Sequence, residues 1–278
     1  MDDLNSEKET ETIEINLLLD ALYLKYGFDF RNYVRPSLVR RLNFICSKHH
    51  LTHVSDMIPK VLHDAAFANQ LLLDLSVTVT EMFRDPEFFS ELRDKVIPLL
   101  KTYPFVKIWH AGCATGEEVY SMAILLKEEG FYDRVQIYAT DINQESIKTA
   151  QEGIYSLENI RKFTSNYNMS GGQTSFSDYY FAKYQMAKMN EDLKRNIVFS
   201  SHNLATDHAF GEMHLIICRN VLIYFDQILQ NKVLNLFNHS LIHRGFLCLG
   251  SKESMESMEC RGDYETLSAK WRIFRKQV

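Results

Sequence analysis

The chain has 278 residues, 46% hydrophobic and 24% charged, which suits a globular protein with one catalytic domain and a smaller companion. A formal net charge of −5 excludes a general polyanion binder, so an acidic partner would have to meet a local basic patch. The five cysteines (Cys46, Cys113, Cys218, Cys248 and Cys260) form neither a CxxC pair nor an even-numbered framework; this argues against a disulfide scaffold and a zinc site, and for a reducing compartment. The stretch Met1 to Glu14 is acidic and polar, unlike a signal peptide, and no apolar run approaches the ~18 residues a membrane span needs. The expectation is a cytoplasmic protein without direct membrane insertion.

Residues 12–75 read as helical, with Ile13, Leu17, Leu18, Leu22 and Leu24 near helical spacing and further helices starting near Pro36 and Ser55. No strand is expected before residue 104, and a helix after Pro86 should turn Phe88, Phe89, Leu92, Val96 and Leu99 inward. The character then changes. Short apolar runs at Val106–Ala111, Val135–Thr140, Ile197–Ser200, Leu215–Cys218 and Phe246–Leu249 alternate with helices at about 116–129, 143–151 and 227–241, and Trp271–Phe274 suggests a terminal strand. Such alternation predicts an α/β domain with a mostly parallel sheet covered on both faces. Residues 165–195, with a Ser170-Gly-Gly-Gln173 turn and the cluster Phe176, Tyr179, Tyr180, Phe181 and Tyr184, read as an insertion.

The first strand runs into His110-Ala-Gly-Cys-Ala-Thr-Gly-Glu-Glu118, where a ligand binds in an open α/β sheet. The Gly-x-x-x-Gly spacing satisfies neither the dinucleotide fingerprint nor the phosphate loop. Glu117 and Glu118 at the start of a helix would repel phosphate but suit a sulfonium or an ammonium; they would also favour a helix N-terminus without any ligand. Asp141 ends the second strand, where one carboxylate can accept bonds from both ribose hydroxyls or cap the next helix. Asn203 and Asn220 close later strands with amides that can both donate and accept. Cys113 lacks a phosphatase-spaced arginine, His49, His50 and His53 have no neighbouring ligand for a metal, and no Gly-x-Ser-x-Gly elbow is present.

Together these segments resemble the CheR-type chemotaxis receptor (protein-glutamate) O-methyltransferases. The resemblance rests on Thr80-Glu-Met-Phe-Arg84, Thr115-Gly-Glu-Glu-Val-Tyr-Ser121, Thr140-Asp-Ile142 followed by Gly153-Ile-Tyr155, and Ile217-Cys-Arg-Asn-Val-Leu-Ile-Tyr-Phe-Asp226. It implies a class I methyltransferase-like (Rossmann-like) domain over 81–278 with a β insertion, and a small all-helical N-terminal docking domain over 1–80. It implies S-adenosylmethionine as cofactor and S-adenosylhomocysteine as product. Cofactor contacts are implied from Thr78, Thr80, Arg84, Glu117, Asp141, Asn203, Leu204, Arg219 and Asn220, with Arg84 and Tyr224 nearest the transferred methyl. Met82 stands for a family phenylalanine, Val119 for a proline and Ser251-Lys-Glu-Ser254 for a His-Ser-Glu segment, and the tyrosine-rich insertion departs from the form that grips a receptor's C-terminal pentapeptide.

The implied reaction forms methyl esters on glutamate side chains of a chemoreceptor. A glutamate with a pKa of about 4.3 is already ionised at neutral pH, so no general base is needed. No acidic residue lies between Asp29 and Asp56, whereas Arg31, Arg35, Arg40, Arg41 and Lys48 all do; segment 31–48 can dock an acidic helical bundle, or be a solvated face. The net negative charge and the lack of an RNA-binding motif disfavour nucleic acid. Two other readings stay open: a methyltransferase acting on RNA or a small molecule, and a regulator that binds the cofactor as a signal.

Overall fold

A computed structural model describes residues 2–256 and 258–277. The chain divides into two compact units, one of Met1–Val77 with Ile223–Lys232 and one of Thr78–Leu222 with Val233–Val278.

The first unit is helical: α1 (Asp2–Tyr26), α2 (Arg35–Lys48), α3 (Met57–His63) and α4 (Ala65–Leu75), with a 3-10 turn at Val54–Asp56. Proline at the start of α2 loses no helix bond, and Asp64 caps α4 by accepting from the backbone N–H groups of Ala66 (2.9 Å) and Phe67 (3.1 Å). The buried stripe of α1 is Ile15, Leu18, Leu19 and Leu22, whereas Ile13, Leu17 and Leu24, also near helical spacing, are exposed. The helix carries apolar residues on more than one side, and the stripe at i, i+3, i+4, i+7 is the one that packs. Residues 223–232 join this unit through Val34 N–H to the Tyr224 carbonyl (2.9 Å), Asp226 N–H to the Asn32 carbonyl (2.8 Å) and an edge-on Tyr33–Phe225 contact.

The second unit opens with α5 (Pro86–Glu91), a π turn (Leu92–Val96) and α6 (Ile97–Leu100). The π turn adds a residue to the helical repeat, so Leu100 takes the fully buried place expected for Leu99, which is only half-buried. Next come β1 (Val106–Ala111), α7 (Glu117–Glu128), β2 (Val135–Asp141), α8 (Gln144–Glu152), β3 (Ile154–Ser156), α9 (Leu157–Met169), β4 (Tyr180–Lys183), β5 (Met186–Met189), β6 (Ile197–Ser201) and β7 (Met213–Cys218). Helix α10 (Gln227–Ser240) and strands β8 (Leu241–Leu249), β9 (Tyr264–Ser268) and β10 (Ile273–Lys276) complete it.

Seven strands form one sheet in the order β6-β2-β1-β7-β8-β10-β9; the first five are parallel, β10 runs antiparallel to β8, and β9 antiparallel to β10. Val106 through Ala111 pair in step with Val135 through Thr140, and His110 pairs with Ile217, so β1, β2 and β7 end at one edge of the sheet. The site residues follow these three ends.

The insertion is a three-stranded antiparallel sheet ordered β3-β5-β4, with Tyr184 and Gln185 both at positive φ in a two-residue hairpin. Its first strand starts at Ile154, and α9 lies between β3 and β4. That helix is masked in the sequence by three asparagines and held by Ile160, Phe163 and Tyr167 facing inward. Phe176 and Tyr179 are buried, while Phe181 and Tyr184 stand exposed on the hairpin. Cys46, Cys113, Cys218 and Cys248 are buried free thiols, and the side chain of Cys260 lies outside the described residues. Among the described residues no helix is long and apolar enough to cross a membrane.

Asp64→Ala should destabilise the helical unit by roughly 0.5–2 kcal/mol through loss of the α4 cap. Urea unfolding followed by circular dichroism checks this, and an unchanged midpoint would show that the cap contributes nothing.

Candidate functional site

The loop between β1 and α7 is built on positive φ at Gly112 (+80°), Ala114 (+47°) and Gly116 (+91°). A Cβ on Gly112 would lie 2.5 Å from Val221 Cγ2, and one on Gly116 would lie 2.7 Å from Ala150 Cβ, so both positions exclude a side chain. Gly112 and Cys113 donate their N–H groups to the Thr140 carbonyl at 2.8 and 2.9 Å, which ties the loop to the end of β2.

Asp141 stands at that end. One carboxylate oxygen accepts from Ala114 N–H (2.8 Å) and the other from Asn143 N–H (2.9 Å). The Ile142 N–H is a third backbone donor to the same carboxylate. Burial pushes this carboxyl above its ordinary range, against the backbone bonds that lower it. The next helix is capped by Asn143, through Ser146 N–H, rather than by Asp141.

The two glutamates at the head of α7 have different tasks. Glu117 is buried, accepts from the Thr115 hydroxyl at 2.6 Å, and is pushed up by burial. Glu118 would also be pushed up by burial, but His110 and Arg219 bring it below the usual carboxylate range. His110 Nδ1 meets its Oε1 at 3.3 Å, and Arg219 Nη1 donates to its Oε2 at 2.8 Å.

Arg219, directly after β7, also donates from Nη2 to Asp85 (2.6 Å) and from Nη1 to the Arg84 carbonyl (3.3 Å), with its guanidinium 3.9 Å from the centre of the Phe88 ring. Its side chain is 1% exposed. It therefore grips the turn Met82–Asp85, in which Phe83 and Asp85 hold φ of +52° and +56°. Bulky residues in that region are strained, and strain of this kind persists only where surrounding contacts over-determine it. Here Ser121 Oγ accepts the Phe83 N–H at 2.8 Å, and Phe83 packs against Phe89 and Tyr167. Because Asp85 is taken by Arg219, the half-buried Arg84 has no ion pair or side-chain hydrogen bond among the described residues.

Thr78 and Thr80 are half-buried on the approach to this turn. Asn203 follows β6, accepting from Ala205 N–H (3.0 Å) and donating its own N–H to Asp207 (2.8 Å); Leu204 is buried beside it. Asn220 follows Arg219 with φ of +61°, its N–H on Glu253. Tyr224 belongs to the first unit and lies within electrostatic reach of Arg41. Sequence reasoning did not single out Asp85, His110 or Ser121, although Asp85 adjoins Arg84 and His110 adjoins the glycine loop; Glu253 lies in the Ser251–Ser254 segment that the resemblance set against a family His-Ser-Glu at the edge of the site.

The fit to an adenosyl sulfonium is direct: carved glycine positions admit close backbone approach, Asp141 offers two acceptor oxygens, and the acidic head of α7 suits positive charge rather than phosphate. A parallel sheet in this order with this loop defines a class I S-adenosylmethionine-dependent methyltransferase. The chain belongs to the CheR methyltransferase family, matching its SAM binding domain over residues 78–273 and its all-alpha domain over residues 13–76. It is similar to Cher3 of Pseudomonas putida, 50% identical over 98% of this chain and 100% of the relative. It is also similar to chemotaxis protein methyltransferase 1 of Vibrio cholerae, 32% identical over 80% of this chain and 82% of that relative. The chemotaxis protein methyltransferase of Borreliella burgdorferi is 28% identical over 87% of this chain and 88% of its own length.

Asp141→Ala should weaken S-adenosylmethionine binding by about 1–3 kcal/mol, through loss of charge-assisted hydrogen bonds. Calorimetry giving wild-type affinity in a folded variant would remove Asp141 from the site.

Proposed function

We propose that this methyltransferase esterifies glutamate side chains of chemoreceptor cytoplasmic domains. The observation that carries the reading is Arg84: a half-buried cation without an anionic partner among the described residues, on a strained turn at the edge where β1, β2 and β7 end. Such a cation is suited to a substrate carboxylate. The names of the Vibrio and Borreliella relatives point to the same pathway.

The glycine loop would hold S-adenosylmethionine, which would offer a methyl group on a sulfonium to a carboxylate oxygen, the sulfur keeping the electron pair of the broken bond. Asp141 would hold the ribose, and Glu117 would meet the positive end of the ligand. Thr78, Thr80, Asn203, Leu204 and Asn220 complete the cofactor contacts, and Arg219 contributes through its backbone and through the turn it grips. Arg84 fixes one oxygen of the substrate carboxylate so that the other attacks. By its motif, rather than by any observed position, Tyr224 is proposed as a second donor to that group. With an ionised nucleophile, the protein's work is orientation and partial desolvation.

Docking falls to segment 31–48, and its basic residues are unequal. Arg31 is paired with Asp29 and Lys48 with Asp74, each inside the helical unit. Arg41 donates to the carbonyls of Leu75 (3.1 Å) and Ser76 (2.8 Å), so it closes the end of α4. Among the described residues Arg35 meets only the neutral Asn16 amide, in a first helical turn that has no acidic residue, and Arg40 is exposed. A cation at a helix N-terminus is disfavoured by the dipole, and an acidic partner would relieve that cost. Arg35 and Arg40 therefore form the docking charge.

Incubation with methyl-labelled cofactor and a receptor cytoplasmic fragment should yield alkali-labile methyl ester. Labelled RNA or small molecule without labelled receptor would overturn the reading.

Arg84→Ala should cost roughly 1.5–3 kcal/mol of barrier, about 10- to 150-fold in single-turnover rate, and Tyr224→Phe about 1 kcal/mol. The wild-type rate should stay flat between about pH 6 and 8, since the substrate carboxylate titrates near 4.3. A tenfold rise per pH unit would mean that a base takes part.

Arg40→Glu should slow methylation of the receptor fragment and flatten its salt dependence while cofactor affinity is unchanged. Normal methylation by this variant at low salt would assign Arg40 to a merely solvated surface.

A further inference from the structure

Glu253 lies in the loop after β8, 4% exposed, and its carboxylate is surrounded by backbone donors. Oε1 accepts from Val221 N–H at 2.8 Å; Oε2 accepts from Asn220 N–H at 3.1 Å and from Gly250 N–H. The Glu253 N–H returns a bond to the Gly250 carbonyl at 2.9 Å, which closes the loop on itself. A Cβ on Gly250 would stand 2.8 Å from Oε2 and 2.9 Å from the Asn220 nitrogen, so the glycine makes room for the carboxylate to reach.

Asn220 sits at φ of +61°, a left-handed state that asparagine tolerates better than other side chains, and the carboxylate bonds select it over the commoner backbone states. An ionised carboxylate accepting several N–H bonds is suited to that selection, since charge-assisted bonds are roughly twice as strong as neutral ones. The effect passes on to the glycine loop. Val221, whose nitrogen is fixed by Glu253, places its methyl groups against Gly112 so closely that no Cβ fits there. Gly112 is in turn bonded to Thr140, next to Asp141. A continuous line of contacts therefore runs from Glu253 through Val221 and Gly112 to the end of β2.

We propose that Glu253 is a positioning residue of the S-adenosylmethionine site, which sets the Asn220–Val221 turn against the glycine loop and thereby sets cofactor affinity without touching substrate. The proposal rests on the reading that the glycine loop and Asp141 form the cofactor site.

The test compares Glu253→Gln, Val221→Ala and Asp141→Ala in the full chain, with calorimetric Kd for S-adenosylmethionine and thermal midpoint measured on each. Glu253→Gln keeps the shape but turns an amide N–H₂ toward backbone donors; Kd should rise about tenfold or more, as for loss of a charge-assisted bond. Val221→Ala leaves all three bonds to Glu253 in place and loosens only the contact with Gly112, and its Kd should rise by a smaller factor. A purely structural Glu253 would lower the midpoint and leave Kd of the folded protein unchanged, which overturns the proposal. If Glu253→Gln does not fold, Val221→Ala decides, and a wild-type Kd there overturns it. Weakened binding in Asp141→Ala alone would sink this proposal and spare the reading of the site; wild-type Kd in all three would sink both.

Discussion

The guanidinium of Arg219 is the interaction on which the catalytic edge depends. It is withdrawn from water, and a buried charge is tolerated only when its partners are placed well enough to offset desolvation. Two carboxylates, Glu118 at 2.8 Å and Asp85 at 2.6 Å, and the face of Phe88 meet that condition. The three elements joined in this way are the end of β7, the head of α7 and the turn before α5. Deleting one partner of a buried pair typically costs about 3–5 kcal/mol, so the linkage is stiff.

Its chemical consequence lies one residue away. Arg219 neutralises Asp85, the carboxylate that adjacency would otherwise pair with Arg84, and its bond to the Arg84 carbonyl helps to keep the turn in its strained state. The two arginines differ in this respect: Arg219 is saturated by the protein, while Arg84 has no ion pair among the described residues. A similar difference separates Glu118, brought below the usual carboxylate range by His110 and Arg219, from Glu117, which burial pushes up although the Thr115 hydroxyl and a backbone N–H bond it.

Features of the fold encoded by local pattern were legible in the sequence. Strands β1, β2 and β7 are short apolar runs ended by turn residues, and Gly112, Gly116 and Asp141 stand out because their chemistry is local. What could not be read was decided by packing. The inner face of α1 depends on which of its apolar stripes meets a partner, the π turn at Leu92–Val96 shifts a helical face by one residue, and α9 has a polar sequence held by three inward side chains. In the site, the role of Arg219 rests on carboxylates 101 and 134 residues away, and Glu253 reaches backbone donors 32 and 33 residues before it. No spacing in the sequence reports contacts of that kind.

The central claim is that Arg219 remains a structural cation while Arg84 and Asp141 serve the ligand. A crystal structure with S-adenosylhomocysteine tests it most directly. The account predicts ribose hydroxyls on the Asp141 carboxylate, the Arg84 side chain turned toward the sulfur, and the Arg219 guanidinium still on Glu118 and Asp85. A structure in which Arg219 leaves Asp85 to bind the ligand, with Asp85 turned onto Arg84, would contradict it.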